Sequence, residues 1–218
     1  WANHGELVLC LFPDWFAAPQ PDWPGRSRLV GFPLFDESGQ HRLDDELRRF
    51  IGGPEPVVVF CPGSAMAQAE SCFRTAAEVC RRLPLKGIFL SRFTQQLPNL
   101  PANVLHRSYL PFSEVLPHAA ALVHHGGIGS AAQAFRAGIP QLVLPMAHDQ
   151  FDNAERIERL GCGKALQWGA GKRGFSRALQ ALLADEAVRG NARRVASNFG
   201  DTAANLRQAC EAIEARLH

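Results

Sequence analysis

Between Val123 and Asn153 the sequence reads VHHGGIGSAAQAFRAGIPQLVLPMAHDQFDN, and most of the residues able to do chemistry are gathered there. Ala121 to His124 is a short apolar run that suits a buried strand. Gly126, Gly127 and Gly129 follow, and without a Cβ their backbone N–H groups can come close to a ligand. Ser130 suits the N-cap of a helix running through Ala137, which Gly138 and Pro140 end. Such a glycine turn gathers free N–H groups at the positive end of a helix dipole, which is an anion site, above all for phosphate. Successive strand residues point to opposite faces, so only one of the two histidines faces the crevice. His125, next to the turn, is the phosphate ligand on this reading, and His124 packs or hydrogen-bonds inside. Taken alone, a His-Gly-Gly turn serves equally as a plain structural turn. Asp149 and Gln150 set a carboxylate beside an amide, a natural pair for fixing sugar hydroxyls, although Asp149 also suits the N-cap of a helix from Gln150 to Leu160 ended by Gly161.

Strands and helices alternate around these residues, which predicts an α/β fold: a Rossmann-like parallel sheet with helices on both faces. Expected strands are Glu6 to Phe12, Arg28 to Phe32, Pro56 to Cys61, Ile88 to Leu90 and Val104 to Arg107. Expected helices are Leu43 to Ile51, Ala65 to Leu83, a short turn at Phe112 to Pro117, Ser176 to Ala184 and Asp201 to Leu217. In the second of these, Phe73, Ala76, Ala77, Cys80 and Leu83 share a face, which marks core and not a ligand box. In the last, Leu206, Cys210, Ile213 and Leu217 form an apolar stripe. Arg189, Arg193 and Arg194 read as a solvated helix face.

With 218 residues, 46% of them hydrophobic, the chain can bury a full core as one large domain. A net charge of +2 without a dense Lys/Arg run argues against a nucleic-acid surface. No apolar stretch approaches the roughly 20 residues of a spanning helix, and the opening residues do not read as a signal peptide. The expectation is a cytoplasmic protein. Six cysteines, scattered without a CxxC pair, read as reduced core residues and not as a metal site or disulfide framework.

The succession strand, HHGGIGS, helix, GIPQLVLP, HDQFDNA resembles the donor-binding motif of the inverting, metal-independent glycosyltransferases of the two-domain GT-B fold. The opening segments LCLFPDWFAAPQPDWP and VGFPLFD are similar, more narrowly, to bacterial rhamnosyltransferases of rhamnolipid synthesis. The resemblance implies that the chain is the C-terminal, nucleotide-sugar donor domain across residues 1–218, with the acceptor domain and its catalytic base absent from this chain. It implies diphosphate contacts at Gly63, Ser64, His125, Gly127, Gly129 and Ser130, and a nucleobase bracket at Tyr109, Leu110 and Pro111, with Tyr where the family usually has Trp. It places sugar contacts at Asp149 and Gln150. Gln133 stands where plant members have a Glu that grips both ribose hydroxyls, so the donor expected here is UDP- or dTDP-linked, with rhamnose as one sugar. No cofactor or metal is expected, because His125, the two turns and the helix N-terminus offer fixed donors for a departing diphosphate.

Two other readings compete. Gly127 to Ala132 also fits G-x-G-x-x-A, and Asp149 follows Gly129 by 20 residues, as in an NAD-dependent oxidoreductase. Against it, Asp149 lies four residues past Pro145 instead of at a strand tip, and a dehydrogenase has no need of His125 in the turn. The other is a non-catalytic sugar-nucleotide binding domain.

Overall fold

A computed structural model describes residues 5–37, 43–63, 69–167 and 170–216. By internal contacts the chain divides into two compact units: residues 1–35 with 198–218, and residues 36–197.

The larger unit is built on a six-stranded, wholly parallel sheet. Its strands are β3 (Val57–Cys61), β4 (Lys86–Leu90), β5 (Val104–Arg107), β6 (Ala121–His124), β7 (Gln141–Val143) and β8 (Gly163–Ala165), in the order β5-β4-β3-β6-β7-β8. Each of the five residues of β3 is buried, as expected of a central parallel strand covered on both sides. Val58 and Phe60 face one core with α2 (Glu70–Arg82) and α6 (Gly171–Ala184), while Val57, Val59 and Cys61 face a second core reached by α1 (Asp45–Ile51), α3 (Phe112–Val115) and α4 (Ile128–Ala137). Helices therefore cover both faces. Two further helices, α5 (Gln150–Arg159) and α7 (Glu186–Ser197), complete this unit, and α7 lies against Gly138 at the end of α4 through Ala196 and Arg193.

The smaller unit pairs β1 (Val8–Cys10) with β2 (Ser27–Leu29) in parallel. Phe12, Trp15, Phe16, Trp23, Phe32 and Phe199 pack there edge to face or stacked, with ring centroids 5.6–6.4 Å apart in the pairs Phe32–Phe199 and Trp15–Phe16. Its helix α8 (Thr202–Glu214) is capped by Asp201, which accepts from the Ala203 N–H at 2.9 Å.

The elements differ from expectation mainly at their ends. Helix α6 begins five residues before Ser176. Ala65 to Gln68 of the expected second helix lie outside the described residues, and α2 is seen from Glu70. Strand β8 and the bounds of α7 were not anticipated, since GKA carries no apolar run and α7 follows α6 after a single residue. The α8 stripe faces outward: Leu206, Cys210 and Ile213 are exposed and Ala209 is the buried residue, with Leu217 outside the described residues. Cys210 is likewise the exception among the cysteines, the other five being buried and all six free.

Phe60 anchors the sheet centre, fully buried with its ring 5.1 Å from Phe89. Phe60→Ala is expected to cost about 3–5 kcal/mol in urea unfolding followed by circular dichroism. A loss under about 1 kcal/mol would contradict this packing.

Candidate functional site: the crevice at the carboxyl ends of β3 and β6

From β3 the chain steps outward to β4 and β5, then returns to β6 and steps the other way to β7 and β8. Ligands of open α/β sheets bind where this order reverses, outside the carboxyl ends of the strands. Here those ends are Cys61–Gly63 after β3 and His124–Gly127 after β6, with Cys61 paired to His124.

The His125 ring lies between two glycines. A Cβ at Gly63 would stand 3.1 Å from His125 Nδ1, and one at Gly127 only 2.5 Å from Nε2, so neither position admits a side chain without moving the imidazole. Nδ1 is buried and has no hydrogen-bond partner within normal geometry. Burial lowers the His125 pKa below its ordinary value, and the Cys61 backbone and Asp149 offset part of this by favouring the cation. Ser64, the other expected residue of the first turn, lies outside the described residues.

The helix after the turn is capped differently from the sequence reading. Gly127 is the N-cap, α4 starts at Ile128, and Ser130 is the third residue of the first turn. No side chain caps this end. The Ala131 N–H already bonds the Gly127 carbonyl at 3.1 Å, whereas the N–H groups at the very start of a helix have no partner within it. The displacement by three residues leaves backbone donors instead of a serine cap at the head of α4, and the space beside Gly129 is open.

His124 is inside, as its strand position requires. It is fully buried; its Nδ1 accepts from the Gly126 N–H at 3.1 Å, so the proton resides on Nε2, which donates to Gln141 Oε1 at 3.0 Å. Burial, with the neighbouring His125 adding to it, pulls its pKa down to about 3, and the Gln141 bond opposes the shift. Gln141 itself is a buried amide within a strand that otherwise reads as apolar, and its Nε2 has no partner.

Asp149 does not cap α5 with its side chain, contrary to the capping reading: no such bond forms, and the residue has helical φ and ψ. Its Oδ2 instead accepts from Asn153 Nδ2 at 2.9 Å, and the rest of the residue is exposed. Gln150 turns its carbonyl back on the chain, where Oε1 accepts from the N–H groups of Met146 at 2.9 Å and Ala147 at 3.2 Å. Asn153, buried to 3% exposure, also donates to the Gly126 carbonyl at 3.0 Å. Sequence reasoning missed it; the signal was its place four residues after Asp149, where helix side chains meet. The fingerprint of a dinucleotide enzyme is not reproduced, since its acid belongs at the tip of β7 and Asp149 stands six residues beyond Val143.

The expected nucleobase residues occupy the loop after β5, at the edge of the sheet. Leu110 and Pro111 are buried, and the half-buried Tyr109 accepts at its hydroxyl from the Glu37 N–H at 2.9 Å. Beside it, Asp36 Oδ2 accepts from the Ser113 N–H at 2.8 Å and lies 3.6 Å from Arg136 on α4, tying this loop to the helix that carries Gln133. Gln133 is 7% exposed with its Oε1 unpartnered. The structure thus gathers Gly63, His125, Gly127 and, through Asn153, Asp149 around one turn, and sets Tyr109 and Leu110 apart on another loop.

Residues 88–212 match the family profile described as "Erythromycin biosynthesis protein CIII-like, C-terminal domain". The chain belongs to this family. Its relatives include glycosyltransferases: O-mycaminosyltylonolide 6-deoxyallosyltransferase of Streptomyces fradiae is 34% identical over 150 residues, covering 66% of this chain and 34% of that protein. The crystal structure of CalG4, the calicheamicin glycosyltransferase, superposes with a TM-score of 0.75 at 28% identity over 97% of this chain and 52% of its own. The spinosyn rhamnosyltransferase SpnG, solved with thymidine diphosphate, shares the fold at 23% identity and a TM-score of 0.69, over 94% of this chain and 56% of its own. The chain therefore spans about a third of the first of these proteins and about half of each solved one. The parallel sheet of this chain, with helices on both faces, superposes on about half of each of these solved chains. Among the described residues, no helix is long and apolar enough to cross a membrane.

His125→Ala is expected to weaken nucleoside diphosphate binding by the worth of one charged hydrogen bond, about 1.5–3 kcal/mol, while His124→Ala mainly lowers folding stability. Calorimetric titration with dTDP beside urea unfolding separates the two, and equal affinity losses in both folded variants would contradict the assignment. The depressed pKa of His124 also sets a sign. The unfolded chain takes up a proton near pH 6.5 while the folded one resists until about 3, so stability is lost as pH falls through that window. Between pH 7 and 5 the wild type should lose about 2 kcal/mol more than His124→Gln, whose amide does not titrate.

Proposed function

We propose that this domain binds the donor of an inverting glycosyltransferase, a hexose on a nucleoside diphosphate, and that it stabilises the diphosphate as the sugar departs. The observation that carries this reading is His125, held between Gly63 and Gly127 at the point where the sheet order reverses, immediately before the uncapped head of α4. A departing diphosphate gains negative charge, and preorganised donors aimed at it lower the barrier without reorganising. Gly63, Ser64, His125, Gly127, Gly129 and Ser130 supply those donors in this reading, and the proposed chemistry calls on no metal or cofactor. Asp149 accepts from one sugar hydroxyl and the Gln150 amide donates to another. Tyr109 and Leu110 bracket the base, and Gln133 faces the ribose.

The acceptor hydroxyl and the base that deprotonates it belong, on this reading, to an N-terminal domain outside this chain. Attack comes from the face opposite the diphosphate and inverts the anomeric carbon. The action is placed in the cytoplasm, at the inner membrane where the acceptor is a lipid. A thymidine donor is favoured, because Gln133 offers an amide where a carboxylate would grip two ribose hydroxyls, and a deoxyribose has no 2′-hydroxyl. The rhamnosyltransferase-like opening segments point to rhamnose on dTDP.

The 218-residue chain is expected to bind dTDP at least as well as UDP, to transfer no sugar alone, and to shift toward UDP on Gln133→Glu. Titration calorimetry with dTDP, UDP and NAD tests it. Tight NAD binding with no response to either diphosphate would remove the reading, and UDP favoured tenfold, about 1.4 kcal/mol, would remove the thymidine donor.

A further inference from the structure

We infer that Asn153 is a positioning residue that sets the diphosphate turn and the sugar-binding carboxylate with one side-chain amide; the inference rests on the donor-site reading above. The carboxamide has two N–H bonds that diverge, and here each has its own acceptor: the Gly126 carbonyl at 3.0 Å and Asp149 Oδ2 at 2.9 Å. One acceptor belongs to the turn after β6 and the other to the head of α5.

The first bond matters because of what the Gly126–Gly127 peptide can do. A peptide unit is planar and trans, so its N–H points opposite to its C=O. Fixing the Gly126 carbonyl onto Asn153, which is buried, directs the Gly127 N–H the other way. With glycine on both sides, Gly126 at a φ of 95°, the steric penalties that hold most peptides in one orientation are weak. A flip would present a carbonyl oxygen where an N–H stands, and an oxygen dipole repels a phosphate. The turn is held on its other side too, where the Gly126 N–H donates to His124 Nδ1. His124 thus fixes the peptide entering Gly126, and Asn153 the peptide leaving it.

The second bond orients the sugar contact. Asp149 is exposed and forms no cap, so among the described residues the hydrogen bond from Asn153 is what holds its carboxylate in one rotamer. A carboxylate already oriented loses less rotamer entropy when a hydroxyl binds to it. The same amide therefore couples recognition of the diphosphate to recognition of the sugar, and loss of Asn153 should damage both, the second only by way of Asp149.

The test is a mutant cycle on the 218-residue chain, with Asn153→Ala, Asp149→Ala and the double variant, and with the isosteric Asn153→Asp as a check that cavity formation is not responsible. Binding of UDP, dTDP, UDP-glucose, dTDP-glucose and dTDP-rhamnose is measured by calorimetry, with circular dichroism confirming the fold. The readout is the preference for the tightest sugar nucleotide over its own diphosphate, a ratio that general loosening of the fold leaves alone. Asn153→Ala should weaken the diphosphate about tenfold and also reduce the ratio. With Asp149 already Ala, the same substitution should still weaken the diphosphate and leave the ratio unchanged. Diphosphate affinity within twofold of wild type in both Asn153 variants, a ratio that Asn153→Ala does not move, or a wild-type ratio of one overturns the inference. Failure of the wild type to bind any nucleotide would instead remove the donor-site reading beneath it.

Discussion

Everything at this site depends on the parallel pairing of β3 with β6, in which Cys61 lies beside His124. Because the chain leaves these two strands in opposite directions, no connection passes over their carboxyl ends, and the space between the departing loops stays open. Covering both faces of the sheet with helices buries β3 completely, so the polar groups of the site can appear only where the strands stop. Strand alternation then divides the two histidines: His124 goes into the packed interior and His125 into the opening.

Sorting one histidine inward creates a second requirement. A fully buried imidazole needs both ring nitrogens satisfied, and the protein meets this with the Gly126 N–H on one side and Gln141 on the other. The result is a short polar chain through an apolar interior, from Gln141 through His124 and Gly126 to Asn153 and Asp149. Such a chain is demanding, since a polar group left unpaired in a low dielectric costs its own desolvation, as Gln141 Nε2 does at the end of this one. In return it fixes a glycine turn that has little stiffness of its own.

The sheet and its covering helices were legible in the sequence because their signals are strong and local. VVVFC in β3 and ALV in β6 are uninterrupted apolar runs, and Gly138, in the left-handed region, ends α4 as a glycine followed by Pro140 predicts. What was not legible depends on contacts distant in sequence. β8 is three residues whose strand character comes from pairing with β7. The preference of Ser130 for an N-cap lost to Gly127, which allows the close approach of His125 that a serine side chain would block. Asp149 also suits a cap by residue type, but its carboxylate accepts from Asn153 one helical turn on. The outward stripe of α8 shows that spacing reveals an apolar face without revealing whether anything covers it.

Its hydrogen bonds leave the Gln150 side chain with a single polarity. An amide in solution is two-sided, offering a carbonyl and an NH2 to whatever arrives, but here the carbonyl is spent on the N–H groups of Met146 and Ala147. What remains can only give hydrogen bonds, and the neighbouring carboxylate of Asp149 can only take them. Side by side, the two groups impose a direction: a ring oxygen bearing no hydrogen suits one and starves the other. On the proposed reading, a sugar stripped of a hydroxyl at one carbon is not equivalent to one stripped at the next, and the domain can tell such isomers apart by polarity without any change in the shape of the crevice.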